Sequence, residues 1–200
     1  MAVTRERFMQ GMTYDEFKQR MTRNQERFAA SERAVKLDAA DVAAFGGLAE
    51  PLHVLVLAED WCGDVIDNLP VLGRLAAETG KLDLRIFLRD QNLDLMDQYL
   101  KQGQFRSIPV FAFFDEQFRD LGHFIERPES VTARRAAKRA ALYEQHPEFG
   151  EPGTPADQLP EAARAALSQA LATIREETKP QDNQDVVREL RAIVERGIAA

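Results

Sequence analysis

The sequence predicts an α/β protein: a mixed central sheet flanked by helices, with extra helices at both ends. Three observations carry that prediction. Leu52–Ala58 is a continuous apolar run, as expected of a strand buried on both faces. Leu82–Leu88 alternates as a second strand, after a stretch of helical spacing. Val110–Phe114 and Arg119–Ile125 then flank Asp115-Glu116-Gln117, the pattern of a hairpin. Strand, helix, strand, helix and strand pair place helices on the faces of one sheet.

The remaining elements follow in order. Tyr14, Phe17, Met21 and Phe28 fall near one helical face, so one helix is predicted over 13–35, and Thr13 with Glu16 has the form of a capping box. An Ala-rich helix is predicted over 38–45, closed by Gly46 and Gly47. Residues 63–78 return to helical spacing, with Pro70 inside and Gly80 at the end. Asn92 is placed to cap a helix running through Leu95, Met96, Tyr99 and Leu100. After Pro128 the chain is helical to about Gln145, and 147–160, with four prolines, reads as a loop. Two further helices are predicted at 159–177 and 184–197, broken at Lys179-Pro180. The expected division is an N-terminal helical extension over 1–47, a core over 48–146 and a C-terminal helical extension over 147–200.

Composition narrows the function classes. The 200 residues suit one domain with additions, and 44% hydrophobic with 30% charged residues suits a globular chain. A net charge of −7 disfavours general nucleic-acid binding. The longest apolar run, Val54–Ala58, is far too short to span a bilayer, and Met1–Gln10 lacks the apolar region of a signal peptide. A single cysteine excludes an internal disulfide and fits a reducing compartment, so the expected location is the cytoplasm.

That cysteine, Cys62, lies in Ala58-Glu59-Asp60-Trp61-Cys62-Gly63-Asp64-Val65, after the first strand and at the start of a helix. Pro70 follows eight residues later, Ser107-Ile108-Pro109-Val110 precedes the hairpin, and Gly122 falls in its closing strand. The stretch Leu88–Leu100 and Glu126-Arg127-Pro128 complete the set. Together these segments resemble the thioredoxin-like superfamily over about residues 13–145, and within it a bacterial subgroup with a Trp-Cys-Gly-Asp motif and an N-terminal helical extension. The resemblance implies a thioredoxin-like fold with a cis-proline at Pro109. It implies Cys62 as nucleophile, with Trp61, Gly63, Asp64, Ile108 and Pro109 shaping a peptide groove. The implied partners are protein or glutathione thiols and disulfides.

Two departures limit the chemistry. The family's second thiol would fall at Val65, and the buried aspartate that serves it at Val56. A dithiol cycle is therefore not expected, and a mixed disulfide on Cys62 would need an outside thiol such as glutathione for release. The other departure is charge, because Glu59, Asp60 and Asp64 flank the cysteine. A helix N-terminus favours an anion by roughly 0.3–1 kcal/mol. A carboxylate 4 Å away opposes it by about 1 kcal/mol in water. The direction of any shift in the thiol stays open.

Two functions of different class remain. One is at most a monothiol thiol–disulfide oxidoreductase acting through mixed disulfides. The other is a redox-inactive thioredoxin-fold module that binds peptide or protein. A single-cysteine peroxidase is disfavoured, since Ala58–Trp61 offers neither proline nor hydroxyl ahead of the cysteine.

Other residues read more plainly. His53, His123 and His146 have no zinc-ligand spacing, and no metal, nucleotide or flavin cofactor is expected. Asp60 and Asp64 read as a helix-capping, solvated set, and Arg134, Arg135, Lys138 and Arg139 as a solvated helix face. Arg89-Asp90 and Arg127 fall at strand ends, as salt bridges or as an anion-holding edge. The stripe Leu167, Leu171 and Ile174 must bury against the core or a second copy, so a homodimer stays open.

Overall fold

β1 (Leu52–Ala58) is a central strand, hydrogen-bonded to a neighbour on each side. The computed structural model describes residues 3–199; Met1, Ala2 and Ala200, at the tips of the two expected extensions, lie outside the described residues. β1 pairs in parallel with β2 (Leu82–Leu88) and antiparallel with β3 (Val110–Phe114). β4 (Asp120–Ile125) pairs antiparallel with β3, giving the order β2-β1-β3-β4. The predicted mixed sheet is the observed one. Val54 to Ala58 are fully buried, as the unbroken apolar run requires.

Parallel pairing of β1 and β2 needs a crossover, and a helix over Gly63–Thr79 supplies it. That helix retains Pro70 and stops at Gly80, whose φ of 64° suits a residue without a side chain.

Among the described residues four helices precede the sheet: α1 (Arg5–Phe8), α2 (Tyr14–Arg20), α3 (Gln25–Ala34) and α4 (Ala39–Gly46), so the crossover helix is α5. The capping box forms, with Thr13 N–H donating to Glu16 at 2.7 Å and Glu16 N–H to Thr13 Oγ1 at 3.3 Å. The single helix predicted over 13–35 does not. Thr22 and Arg23 donate their N–H groups to the Asp60 carboxylate at 2.6 and 3.0 Å, and Asn24 takes φ 56°. Amides that would continue the helix bond a carboxylate from the loop after β1 instead.

Phe8, Phe17, Phe28 and Phe45 carry one fully or nearly fully buried ring from each of these four helices into the core around β1. Met12 also exchanges backbone hydrogen bonds with Ile86 at 2.9 and 2.7 Å, covering the outer edge of β2. The helix predicted through Leu100 is only α6 (Leu93–Met96). Asn92 stands at its N-cap as expected, its carbonyl accepting Met96 N–H at 3.0 Å, but its side chain makes no cap: it accepts from Arg7 at 2.8 Å and donates to Leu88 O at 2.8 Å.

The chain forms two compact units, one ending at Pro128 and resuming at Asn183, the other Glu129–Asp182. The second holds α7 (Glu129–Gln145), short 3-10 turns at Pro147–Phe149 and Ala156–Gln158, and the first part of α8 (Glu161–Ala199). Its basic cluster is not simply a solvated face. Arg134 and Arg135 both pair with Asp182, whose side chain is 3% exposed, and Lys138 pairs with Glu177 at 2.9 Å. Two guanidinium groups compensate the one carboxylate that burial would otherwise penalise.

α8 is continuous through Pro180, where a break was expected. An interior proline costs about 3 kcal/mol. Beyond it, Val186, Val187, Leu190, Ile193 and Val194 are buried in the first unit's core, at roughly 1.5–3 kcal/mol each. That burial outweighs the proline. Residues 183–199, assigned by sequence to the C-terminal extension, thus complete the core built on the sheet.

Candidate functional site

Cys62 is the N-cap of α5, with extended dihedrals of φ −82° and ψ 120°. Its N–H donates to Glu59 O at 3.2 Å and its carbonyl accepts from Ile66 at 3.1 Å. The sulfur therefore stands at the helix end whose first-turn N–H groups lack intrahelical partners and favour negative charge. The half-buried thiol lies 3.5 Å from the carbonyl oxygen of Ile108 and donates to it. The Ile108–Pro109 peptide bond is cis. Pro109 O accepts the N–H of Glu126 at 2.7 Å, tying this loop to the turn after β4.

Chain segments 46 residues apart thus bring Cys62, Ile108 and Pro109 together. Ile108 is 4% exposed, whereas neighbouring Trp61 is 43% exposed. The guanidinium of Arg89 covers the Trp61 ring, 4.9 Å from its centroid. Arg89 also donates to Arg106 O at 3.1 Å and to Asp90 at 2.8 Å. The salt bridge expected of Arg89 forms with Asp90 at 2.7 Å, and the stacking on Trp61 is added to it by tertiary structure.

Val56 and Val65 are wholly buried. The place of a second thiol and the place of its base are both apolar and closed.

The three carboxylates around Cys62 each have their own partner, and the helix-capping, solvated reading of Asp60 and Asp64 is corrected. Glu59, 8% exposed, accepts from Asp90 N–H at 2.9 Å, and burial holds its pKa above the usual carboxylate value. Burial alone would also raise Asp60, but donation from Thr22 and Arg23 holds it below the ordinary range. Asp64, 9% exposed, pairs with Arg127, whose Nη1 lies 3.2 Å from Oδ2. Arg127 contacts Glu126 as well, and Lys101 bonds Glu126 at 2.7 Å.

Asn68, on α5, donates to Glu126 O at 2.7 Å. Lys101 and Asn68 carried no signal in the sequence, because their partners are distant along the chain. A cleft of about 230 Å³ beside the loop after β1 is lined by Phe17, Met21, Leu88, Glu59 and Asp60 among others.

Each histidine packs against an aromatic ring, and His53 and His146 also lie 3.4 Å from Asp83 and 2.9 Å from Glu148. His53 stacks on Phe118 at 4.6 Å, His146 stacks on Phe149 at 4.9 Å, and His123 meets Tyr99 edge-on at 5.4 Å. Among the described residues no His, Cys, Asp or Glu cluster could hold a metal ion. Among them, too, no helix is long and apolar enough to cross a membrane.

The chain is similar over its whole length to a protein of unknown function from Pseudomonas aeruginosa, at 22% identity and a TM-score of 0.68, with 100% of each chain covered. It is also similar to an HIV epitope-scaffold, at 19% identity and a TM-score of 0.65, covering 97% of this chain and 98% of that one. No curated protein gives a significant match. Those structural likenesses speak to fold alone. A family model described as thioredoxin matches residues 11–140, more than half of the sequence. The chain belongs to the thioredoxin family.

Proposed function

We propose that this protein acts at most as a monothiol thiol–disulfide oxidoreductase, with Cys62 as nucleophile and Trp61, Gly63, Asp64, Ile108 and Pro109 shaping the partner groove. The observation that supports it is the sulfur at the N-terminus of α5, 3.5 Å from Ile108 O and beside Pro109. In the step envisaged, the Cys62 thiolate attacks one sulfur of a glutathione or protein disulfide. A new S–S bond forms, the old one breaks, and the other sulfur leaves as thiolate. Cys62 is then oxidised and the departing thiol reduced. Val65 offers no sulfur to resolve the adduct, so a second external thiol attacks it and restores Cys62.

Incubation with oxidised glutathione at neutral pH, followed by intact mass, tests this reading. A single adduct, absent in Cys62→Ser and removed by reduced glutathione, is expected. An unmodified protein overturns it.

The buried, apolar Val56 and Val65 favour a second reading, in which the groove binds a peptide or protein partner without redox turnover. Cys62→Ser would then leave partner binding unchanged. The cytoplasm is the compartment proposed for either role, and a homodimer through the C-terminal helices is the assembly to test.

A further inference from the structure

We infer that Arg127 is a positioning residue for the Cys62 thiol, acting through Asp64, given the reading of Cys62 as a reactive thiol on which this rests. Cys62 caps α5 and Asp64 is the helix's second residue, so both belong to its first turn. The helix terminus there favours an anion on sulfur. An uncompensated carboxylate in the same turn would oppose it. Arg127 compensates that carboxylate from 3.2 Å, and at 9% exposure water screens the Asp64 charge little.

Arg127 is itself held in place. Its neighbour Glu126 contacts it and accepts from Lys101 at 2.7 Å. Glu126 N–H donates to Pro109 O at 2.7 Å, and Asn68 of α5 donates to Glu126 O at 2.7 Å. The turn that carries Arg127 is thus tethered to the Pro109 loop and to the helix that bears Asp64.

The four charges Asp64, Glu126, Arg127 and Lys101 sum to zero. Burial pushes the Glu126 carboxyl up, but the Lys101 hydrogen bond and the charges of Arg127 and Lys101 hold it below the ordinary range.

The other charged groups near this segment have partners of their own. Glu59 is bonded to Asp90 N–H, Asp60 to Thr22 and Arg23, Arg89 to Asp90 and Arg106 O, and Arg106 to Asp97. Asp67, further along α5, is buried. Arg127 is a cation placed to offset Asp64.

The test is the rate of Cys62 alkylation by iodoacetamide between about pH 5 and 10, with folding checked by circular dichroism. Arg127→Gln should raise the midpoint by about half to one pH unit. Arg127→Lys should stay near the parent, and Asp64→Asn combined with Arg127→Gln should return to it. That double variant leaves no uncompensated carboxylate, so it also covers the case in which Arg127→Gln alone misfolds. A parent-like profile for Arg127→Gln, or an equal rise in the single and double variants, overturns the proposal. A thiol unmodified at every pH instead overturns the reading of Cys62, and this inference with it.

Discussion

Arg89 lies over the indole of Trp61, its guanidinium carbon 4.9 Å from the ring centroid. Trp61 is the sole tryptophan, so intrinsic fluorescence reports on the residue next to Cys62. Arg89→Leu should increase quenching of that emission by acrylamide, since the ring's covered face opens to solvent. The stability cost should be about 1–3 kcal/mol, because the variant also loses the hydrogen bonds to Asp90 and Arg106 O. Unchanged quenching would show that the stack does not persist in solution.

A sulfur at position 65 should restore a two-thiol site. Val65 lies three residues after Cys62 on the same helix and is fully buried. Val65→Cys is expected to close a disulfide with Cys62 under mild oxidation, read as the loss of both thiols in a titration. Removing apolar volume from this position should cost about 1 kcal/mol in the reduced protein. Two titratable thiols persisting after oxidation would show that the helix start cannot bring the pair together.

Asp60 should make the N-terminal helices sensitive to acid. Its folded pKa is depressed by Thr22 and Arg23 despite partial burial. The sign follows: the stabilisation is complete above the unfolded carboxylate value of about 3.9 and disappears as pH falls through the lower folded value. Asp60→Asn should cost about 1 kcal/mol at neutral pH, allowing for solvent screening. The gap between parent and variant in urea unfolding should narrow below about pH 4. A gap that does not change with pH would contradict this assignment.

The end of α8 should behave as core rather than as a tail. Leu190 is fully buried whereas Ile198 is 56% exposed. Leu190→Ala should lose about 2–5 kcal/mol of unfolding free energy. Ile198→Ala should change it by no more than about 0.5 kcal/mol. Equal effects would mean that this segment does not pack as described.

Gly197 belongs to the same packing. A Cβ there would collide with the carbonyl oxygen of Leu121, so the backbone of β4 and the helix approach too closely for a side chain. Gly197→Ala should destabilise by about 1–3 kcal/mol, measured in the same unfolding experiment.

Strong, local patterns were the legible part of the fold. The apolar run 52–58, the helix from Gly63 to its left-handed Gly80 and the hairpin about Asp115 carry their determinants within a few residues of one another. Errors fell where groups distant along the chain decided the local structure. Asp60 divides the predicted 13–35 helix, Arg7 and Leu88 engage the side chain of Asn92, and the burial of Val186 to Val194 carries α8 past Pro180. At the candidate site, Cys62 stood out as the single cysteine, and Trp61 and Ile108-Pro109 through the family resemblance of their motifs. Lys101 and Asn68 did not, because only folding brings them to Glu126.

By itself the sequence determined that one sulfur would stand at the start of a helix, after a central strand, with no second thiol to follow it. Strand burial and helix starts are written in short-range periodicity, and the number of cysteines needs no structure. Tertiary structure alone decided where the surrounding charges point. Asp60 turns to Thr22, Glu59 to Asp90 and Asp64 to Arg127, because carboxylates removed from water settle against whichever donors the fold brings within reach.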